Sequence, residues 1–471
     1  MFYAKKNDIG SVRRGKVIIR DFSGGVNGKK DEENLSVGEC AFSYNFRYDG
    51  GTLKDGGGVK KADFGTDPLF AENTTPTRLY FYKKYNTTSE KYEEYLMVYC
   101  TDGFIYKAGE TDSTFTKVDD LKFTAAPYAV EYNYKSDDVM IFSAGSALKI
   151  YDGENVTDAE DVPSITSMCV HSERLFATES GTKTSLWFSD DFDPLNWKVS
   201  LDEAGFIDIR EGAGSLLKVL SFGGYVYVFA NYGIVRVSAS GDQTEFSVDG
   251  IAASSGRIYG ESIAISGDRI IYLAEDGFYS FSGGTPARIM TKLDGKLENV
   301  DNSDAKGCYF NGEYYCKMYM RGDSGLCEVI VRYDIHNGNI AIIKGADVKD
   351  FIVAGGESKA RMLFLVKGIN TAGTLSEHAE NFSKPLNKHW VSGKSDFGKT
   401  DKKCVTALSL RTVTDIDVTV KSERGSRLLH FFGSKERQKK AVGLKGDTFT
   451  FSIDCHVPGA RISAVEIEYE Y

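Results

Sequence analysis

The stretch Arg269-Ile-Ile-Tyr-Leu-Ala-Glu-Asp-Gly-Phe-Tyr-Ser-Phe281 decides the fold, because its pattern recurs along the chain. It contains an aliphatic and aromatic strand, a polar turn with Asp and Gly, and a second strand of the same kind. Close copies begin at Tyr95, Asp138 and Tyr225, and looser copies begin at residues 174, 313 and 361. The sequence therefore predicts one β-hairpin module that is repeated along the chain.

The spacing of the copies indicates a β-propeller. Successive copies start roughly 35 to 52 residues apart, which is the length of a four-stranded propeller blade. Both faces of each hairpin carry apolar side chains, so each sheet needs a neighbour on both sides, as in a closed ring of blades. The span from about residue 77 to residue 380 divides into seven such units. We therefore expect an all-β fold with about seven blades; six blades, eight blades or a β-sandwich are the alternatives.

The predicted domain organisation has four parts: an extended N-terminal arm with one short helix (residues 1–75), the β-propeller (76–380), a linker (381–389) and a C-terminal β-sandwich (390–471). The helix is expected within residues 35–46, where apolar residues recur every three to four positions and Ser36 can cap the first turn. The sandwich is expected because four stretches, which begin at residues 405, 415, 447 and 462, alternate apolar and polar side chains.

Composition narrows the class of protein. The chain has 471 residues, a net charge of −10 and eight cysteines without a paired C-x-x-C spacing, which predicts buried free thiols made in a reducing cytoplasm. No apolar run reaches the length of a membrane span, and the first residues do not resemble a signal peptide. We therefore expect no membrane span and no export by the ordinary secretory route. The acidic balance also argues against a protein that grips nucleic acid along its whole surface.

One segment has the opposite charge. Residues 421–445 contain eight basic and two acidic residues, and we expect them to form an exposed loop between two strands of the sandwich. This loop and the basic start of the chain form the candidate partner interface, because clustered cations can meet an acidic patch on a neighbour. The alternatives are a solvated loop and a contact with DNA or a membrane. The residues predicted for the interface are Arg13, Arg14, Arg424, Arg427, Lys435, Arg437, Lys439 and Lys440.

No catalytic, cofactor-binding or metal-binding residue is predicted. Residues 189–197 share Ser, Asp and Trp with the Asp-box of sialidases, but they are one residue longer, lack its Gly and occur once. We interpret them as a structural blade turn, in which Asp193 before Pro194 begins the turn and Trp187 and Trp197 pack on the neighbouring blade. The six histidines have no metal-like spacing, and the chain has neither a P-loop nor a nucleophile elbow. The sequence thus predicts a protein that is not an enzyme.

Three stretches of the chain resemble a known family. The first is Asp21-Phe-Ser-Gly-Gly-Val-Asn-Gly, followed by Leu35-Ser-Val-Gly-Glu-Cys, Asn45-Phe-Arg and Gly50-Gly-Thr-Leu-Lys; the second is Ser185-Leu-Trp-Phe-Ser-Asp-Asp-Phe-Asp-Pro-Leu-Asn-Trp; the third is Trp390-x-Ser-Gly-x-x-Asp-Phe-Gly. They are similar to the tail nozzle proteins of short-tailed bacteriophages, also called tail tubular or packaged-DNA stabilisation proteins. The chain departs from the family pattern at Lys54-Asp55-Gly56, where a basic residue, Pro and Gly are commoner. Long-tailed phages also carry propeller-like tail proteins with similar openings, so both tail types stay open.

The resemblance implies a structural protein of the virion tail, synthesised in the host bacterial cytoplasm. Such a protein would form a ring with copies of itself, for example a hexamer, at the distal end of the tail channel, retain the packaged genome and open for DNA ejection. Its implied partners are tail adaptor proteins, fibre or spike proteins and, transiently, packaged double-stranded DNA. Independently of the resemblance, residues 1–389 carry a net charge of −13, and a channel wall of that charge would repel the duplex. The alternative explanation of this charge is the mild acidity that most soluble proteins have. The alternatives are a receptor-binding or glycan-binding tail component and a propeller glycoside hydrolase.

Overall fold

The computed structural model describes residues 12–181, 184–200, 203–209, 213–355 and 360–471, and nearly all of the regular structure is β-strand. Within these ranges there is one helical turn, α1 (Asp294–Leu297), and there are four 3-10 helices, at Glu32–Asn34, Gln243–Glu245, Gly260–Ser262 and Thr291–Leu293. The chain divides into two compact units. The propeller unit contains residues 59–338 and 344–376, and the sandwich unit contains the residues up to 58, 339–343 and 377–471.

Six strands precede the first repeated hairpin: β1 (Arg14–Ile19), β2 (Gly25–Val26), β3 (Glu39–Tyr44), β4 (Phe46–Asp49), β5 (Thr52–Asp55) and β6 (Gly58–Lys61). All six are hydrogen-bonded into larger sheets. The prediction of an extended arm is therefore wrong for this part of the chain, and residues 1–11 lie outside the described residues. The predicted helix within residues 35–46 is also wrong. Five of the six residues of β3 are buried. Because both faces of the strand are buried, its sequence lacks the alternation of apolar and polar residues by which a half-buried strand is recognised.

Six blades follow along the chain, each a sheet of four consecutive strands with the first strand innermost. Blades 1 to 3 are β7 (Pro76–Asn86), β8 (Lys91–Cys100), β9 (Phe104–Gly109) and β10 (Thr116–Lys122); β11 (Tyr128–Tyr134), β12 (Asp137–Ala144), β13 (Ala147–Tyr151) and β14 (Val156–Asp158); and β15 (Ile165–His171), β16 (Arg174–Glu179), β17 (Ser185–Phe188) and β18 (Gly205–Asp208). Blades 4 to 6 are β19 (Leu216–Phe222), β20 (Tyr225–Ala230), β21 (Gly233–Ser238) and β22 (Ser247–Ala253); β23 (Ala264–Ser266), β24 (Arg269–Ala274), β25 (Gly277–Phe281) and β26 (Ala287–Ile289); and β27 (Lys306–Phe310), β28 (Glu313–Gly322), β29 (Gly325–Asp334) and β30 (Ile340–Lys344).

Blade 7 closes the ring with strands from two distant parts of the sequence. It contains β31 (Val348–Ala354), β32 (Arg361–Val366) and β33 (Gly373–Ser376), and β6 is the fourth strand, next to β33. Its inner strand β31 contacts β7 of blade 1. The described chain therefore forms a propeller of seven blades, which confirms the predicted fold class. Each of the seven hairpins recognised in the sequence provides the second and third strands of a blade.

The apolar side chains of the hairpins pack between neighbouring blades. Leu79 and Val98 of blade 1 share one buried cluster with Leu363 and Leu365 of blade 7. Further buried clusters lie between blades 1 and 2 and between blades 4 and 5. The interfaces in these clusters bury side chains from both sheets, as the two-sided apolar pattern of the hairpins requires.

The sandwich unit combines strands from both ends of the described chain. Its later strands are β34 (Glu380–Asn381), β35 (Lys384–Pro385), β36 (Lys388–Ser392), β37 (Lys403–Thr412), β38 (Ile416–Ser422), β39 (Gly425–Phe431), β40 (Gln438–Gly446), β41 (Phe449–Cys455) and β42 (Arg461–Glu470). One sheet has the order β4-β5-β42-β37-β40, with β1 also paired to β42, and the other has the order β2-β3-β36-β41-β38-β39. Phe397 joins their inner faces, because its ring lies 5.5 Å from that of Phe449 and 4.5 Å from that of Tyr469.

Two predictions for the C-terminal region need correction. Residues 381–389 are not a plain linker, because β35 and the start of β36 lie within them. Residues 421–445 are not one exposed loop, because β39 and β40 occupy most of this segment. Both are terminal strands of their sheets. Most residues of β39 are exposed, so its sequence lacks the apolar alternation of a half-buried strand. In β40, exposed and less exposed residues alternate, but its basic side chains obscured that pattern.

Candidate functional site

The inner strands of the blades line an open cavity of about 560 Å³ within the propeller unit. Residues of all seven blades line it, including residues on β7, β11, β15, β19, β27 and β31 and Glu261 in the 3-10 helix before β23. Charged side chains from five blades meet here: Arg78, Lys83, Glu131, Lys218, Glu261 and Lys306. A concave site with convergent polar groups is the default place to look for function.

A network of three side chains crosses the axis of this cavity. Glu261 accepts a hydrogen bond from Arg78 at 3.1 Å and another from the hydroxyl of Tyr128. The guanidinium of Arg78 also lies over the ring of Tyr128, 4.7 Å from its centroid. Blade 5, which carries Glu261, is not adjacent to blade 1 or blade 2 in a ring of seven. These bonds therefore span the channel, and we call the three residues the cross-axis network.

The local fold positions Glu261 for this role. It lies between Gly260 and Ser262, and the Ser262 hydroxyl donates to the carbonyl of Tyr259 at 2.6 Å while it accepts the N–H of Leu273 at 2.9 Å. Ser262 is fully buried. The short helix is thus fixed to β24 of its own blade, and Glu261 projects from a rigid support.

Two further contacts tie neighbouring blades near the network. Lys306 of blade 6 forms an ion pair with Asp350 of blade 7, and Asp350 also accepts the N–H of Leu79 in blade 1 at 2.7 Å. Lys218 of blade 4 donates to the carbonyl of Ile263 in blade 5 at 3.1 Å. The charged side chains at this level therefore bind one another or a neighbouring backbone.

Burial and charge act in opposite directions on the pKa of Glu261. Burial raises it, but the cations Lys218, Arg78 and Lys306 and the hydrogen bond from Tyr128 lower it more, to about 2. Burial lowers the pKa of Lys218, although Glu261 opposes that effect. Glu261 is therefore a carboxylate at any physiological pH and serves as the counter-ion of the surrounding cations.

This arrangement restricts the chemistry of the cavity. Glu261 and Asp350 are both held in ion pairs, so neither is a free carboxylate poised to act as an acid or a base. Glu131, further along the wall, has a pKa raised by burial, which Lys83 partly offsets. In the described ranges no three His, Cys, Asp or Glu side chains are grouped closely enough to hold a metal ion.

Sequence reasoning missed the residues of the cavity. The sequence nevertheless contains a recurring pattern: a polar or charged residue lies just before or near the start of the first strand of a blade. These residues are Arg78, Tyr128, Lys218, Glu261 and Lys306. Aligning the repeats and asking which polar residue recurs ahead of each hairpin would have found them. Their pairing across the ring could not be found in this way, since it joins blades that are far apart in sequence.

The structure places the three residues of the blade turn together in blade 3. The Asp193 carboxylate accepts the N–H of Leu195 at 3.1 Å, and its carbonyl accepts the N–H of Asn196 at 3.2 Å, which starts the turn. Trp197 is 2% exposed and donates to the carbonyl of Pro194 at 3.0 Å. Both Trp197 and the half-buried Trp187 pack in an apolar cluster that also contains side chains of blade 2.

Glycine-rich stretches that are far apart in sequence meet in the sandwich unit. The Phe22 N–H donates to the carbonyl of Gly51 at 3.2 Å, and the Ser23 N–H donates to the Asp21 carboxylate at 2.8 Å. At Gly38, which has a φ of +94°, a Cβ would collide with the carbonyl oxygen of Asp21. The ring of Phe22 is fully buried and lies edge-on to Trp390, with 5.3 Å between centroids. We call this arrangement the glycine turn cluster.

The predicted interface residues divide into two groups. In the first group, the Glu row on β42 neutralises the cations: Arg14 pairs with Glu470 at 3.1 Å, Lys439 with Glu468 at 2.7 Å, and Arg437 with Glu466. Arg13 exchanges backbone hydrogen bonds with Tyr471 at 3.0 Å. These residues lie on the first sheet of the sandwich unit and bind it internally.

The second group contains the predicted cations that do not pair with the glutamates of β42. Arg424 lies at the tip of the β38–β39 hairpin, 3.5 Å from Glu423. In the described chain, Arg427 and Lys435 have no carboxylate within ion-pair distance, and Lys440 lies over the exposed ring of Phe432 at 5.7 Å. The structure thus does not gather all the predicted residues into one patch.

Comparison with known proteins identifies no family for the chain. No family model matches it, and no curated protein matches it. Among solved structures it is similar to two crystal structures of BBS1N in complex with ARL6DN, one soaked with lead and one with mercury. Each is 10% identical and covers 67% of this chain and 96% of that chain, with TM-scores of 0.44 and 0.43. The propeller assignment rests on the seven sheets themselves. Among the described residues, no helix has the length and apolar character needed to cross a membrane.

Proposed function

We propose that this chain is a non-enzymatic structural protein of a bacteriophage tail. Copies of it assemble into a ring, the nozzle at the distal end of the tail channel, which retains the packaged genome and opens for ejection. The mature protein resides in the virion, where it contacts tail adaptor and fibre or spike proteins and, transiently, double-stranded DNA. No cofactor takes part in this role.

The observation that carries the proposal is the glycine turn cluster. The stretches that resemble tail nozzle proteins, which begin at Asp21, Leu35 and Gly50, are separate in sequence but join in one structural element with Trp390. Gly38 has a backbone that other residues rarely adopt and no room for a side chain. The resemblance is therefore carried by residues that depend on one another physically, which supports reading them as one motif.

The cross-axis network supports the structural part of the proposal. The cations and carboxylates at this level of the cavity pair with one another, so their main effect is to tie blades 1, 2 and 5 together. The same network crosses the axis of the propeller. DNA in such a tail would run past the propellers of several copies, along the axis of the ring, and not through the propeller of one copy.

The experiment that tests the proposal is a mass and shape measurement on the purified full chain. Native mass spectrometry and negative-stain electron microscopy are expected to show a closed ring, alone or after addition of a tail adaptor protein. A chain that stays monomeric under both conditions, or that turns over a carbohydrate substrate, would remove the nozzle proposal.

The cavity favours a second candidate, a glycan-binding tail component. Its volume of about 560 Å³ and its mixture of aromatic and charged side chains suit a sugar. Arg78, however, covers one face of the Tyr128 ring. A sugar could stack on that face only if Arg78 moved away, so this contact argues against the glycan-binding candidate. Binding of an oligosaccharide to the isolated monomer, lost on Tyr128→Ala substitution, would favour this candidate over the nozzle.

A further inference from the structure

Strand β39 is an exposed edge of the sandwich unit. It is the last strand of its sheet, and β38 is its hydrogen-bonded neighbour there. The pairing runs without a bulge through seven residue pairs, from Ile416 opposite Phe431 to Ser422 opposite Gly425. The first four residues of β39 are exposed. A straight, exposed edge presents backbone N–H and C=O groups that can pair with another strand.

The composition of this edge favours contact with a partner over contact with water. Leu428 is 56% exposed on β39, and Phe432, directly after the strand, is 62% exposed. Proteins usually protect an edge with a proline, a bulge or charged side chains. Residues 425–432 contain neither a proline nor a bulge, and their protecting charge is Arg427. An exposed apolar edge of this kind is a liability unless another strand covers it.

The charge of the edge determines which partner fits. Arg427 lies on the strand and Lys435 follows it, and neither has a carboxylate within ion-pair distance in the described chain, unlike Arg437 and Lys439. Pairing two copies of β39 with each other would join two strands that each carry an Arg427 without a counter-ion, which like-charge repulsion disfavours. The partner edge should therefore be acidic.

The chain itself offers an acidic edge on blade 2. Strand β14 ends its sheet, where β13 is its neighbour. From residue 150 to residue 173 the sequence has no Lys or Arg. Four exposed carboxylates lie on or beside β14, and Lys149 of β13 pairs with one of them, Asp158. The four are Glu154, Asp158, Glu160 and Asp161.

We propose that β39 of one copy docks on the acidic β14 edge of the next copy, with backbone pairing between the strands and ion pairs from Arg427 and Lys435 to Glu160 and Asp161. This rests on the proposed function, because it names the contact that builds the ring. The two surfaces differ, so the contact is heterologous, and contacts of this type generate rings when the rotation closes. The ion pairs beside the two strands would help to select the acidic partner and would make the association weaker at high salt.

Charge reversal tests the pairing in the full-length protein. The basic-edge variant is Arg427→Glu with Lys435→Glu, and the acidic-edge variant is Glu160→Lys with Asp161→Lys. Each is expected to weaken self-association by at least about tenfold, measured by light scattering across a concentration series. The variant with all four changes is expected to assemble again. The matched control reverses two exposed lysines outside both edges, Lys367→Glu with Lys402→Glu, and should assemble like the wild type.

Cysteine trapping tests the same contact without a change of charge. Copies with Ser426→Cys are mixed with copies with Thr157→Cys, two exposed positions on the facing strands. Oxidation is expected to give a disulfide-linked pair of copies that neither variant forms alone, because facing strands bring the two side chains within bonding reach. Either variant can be checked for folding by its thermal transition before oxidation.

The outcomes separate this inference from the nozzle proposal. If the wild type forms a ring and both charge-reversal variants form a ring of the same mass, the docking of β39 on β14 is overturned and the nozzle proposal stands. A folded four-change variant that does not reassemble also overturns the pairing. Retention of duplex DNA by the wild type, lost in the basic-edge variant while the ring persists, would make the edge a nucleic-acid contact and overturn the inference. A wild type that never assembles overturns both proposals.

Discussion

The Nζ atom of Lys388 lies 3.6 Å from Oδ1 of Asp55 in the sandwich unit, and the side chains are 0% and 6% exposed. Asp55 also accepts the backbone N–H groups of Gly459 at 2.7 Å and Ala460 at 3.0 Å. One carboxylate therefore joins the end of β5, the start of β36 and the turn before β42. Within the described chain, Nζ of Lys388 has no hydrogen-bond partner, so Asp55 is what balances its charge.

Replacing Asp55 with Ala is expected to destabilise the sandwich unit by roughly 3–5 kcal/mol, because it leaves a buried cation without a counter-ion. Urea unfolding followed by the fluorescence of Trp390, in a chain with Trp187 and Trp197 changed to Phe, measures this loss. The control is Lys394→Gln, which breaks the exposed Lys394–Glu33 pair and should cost less than about 1 kcal/mol. Equal effects of the two substitutions would contradict the account of a buried pair.

Glu261→Gln is expected to make the propeller less stable at pH 7 and to flatten its response to acid. The folded pKa of about 2 is below the ordinary value of 4.5, so the stabilisation is complete above about pH 5 and is lost as the pH falls towards 2. It is worth roughly 3 kcal/mol, since each tenfold difference in proton affinity corresponds to about 1.4 kcal/mol. Urea midpoints at pH 7, 5 and 3 measure the effect.

The control for this pH dependence is Glu110→Gln, at an exposed position outside the cavity. It is expected to follow the wild type at all three pH values. If Glu261→Gln and the wild type lose stability in parallel between pH 5 and pH 3, Glu261 does not carry the charge balance of the cavity.

Trp197→Ala is expected to cost about 3–5 kcal/mol, because it removes a 2% exposed indole that packs between blades 2 and 3. Trp187→Ala, at a half-buried position on β17, should cost no more than about 2 kcal/mol. Thermal unfolding of both variants gives the order. A larger loss at Trp187 would show that the turn is not what anchors the two blades.

Val59→Asp is expected to open the propeller, because it places an unpaired carboxylate at a 1% exposed position in β6, the strand that completes blade 7. Lys60→Asp in the same strand is the control, since Lys60 is exposed and surface changes usually stay within about 0.5 kcal/mol. Limited proteolysis reports the difference. Cleavage of the Val59→Asp chain within blade 7 is expected, and equal resistance of both variants would argue against closure by β6.

The sequence allowed the blades to be predicted because their central hairpins are local. Residues 269–281 contain both strands and the turn of one hairpin, so alternation and turn chemistry are enough to recognise it. The closure of blade 7 was not predictable in the same way, because β6 pairs with a strand roughly 310 residues later. Likewise, the sequence does not distinguish Glu261 from the other acidic residues, of which the chain has 67 in total. Its role follows from the closed ring, which brings it to Arg78.

The misread segments failed for a related reason. Residues 39–44 are buried on both faces, so their apolar spacing matched a helix as well as a strand. Residues 425–431 are an exposed edge, and their Ser, Arg and His side chains matched a loop. In both cases the identity of the strand comes from its neighbours in the sheet, which local patterns do not contain.

The split origin of blade 7 has a consequence for biosynthesis. The ribosome produces β6 before blade 1, yet β33 follows roughly 310 residues later, which takes about 15–60 s at 5–20 residues per second. During that interval the nascent ring stays open, with an apolar blade face uncovered at each end. We expect ribosome-bound intermediates of this chain to be clients of chaperones until the last hairpin emerges.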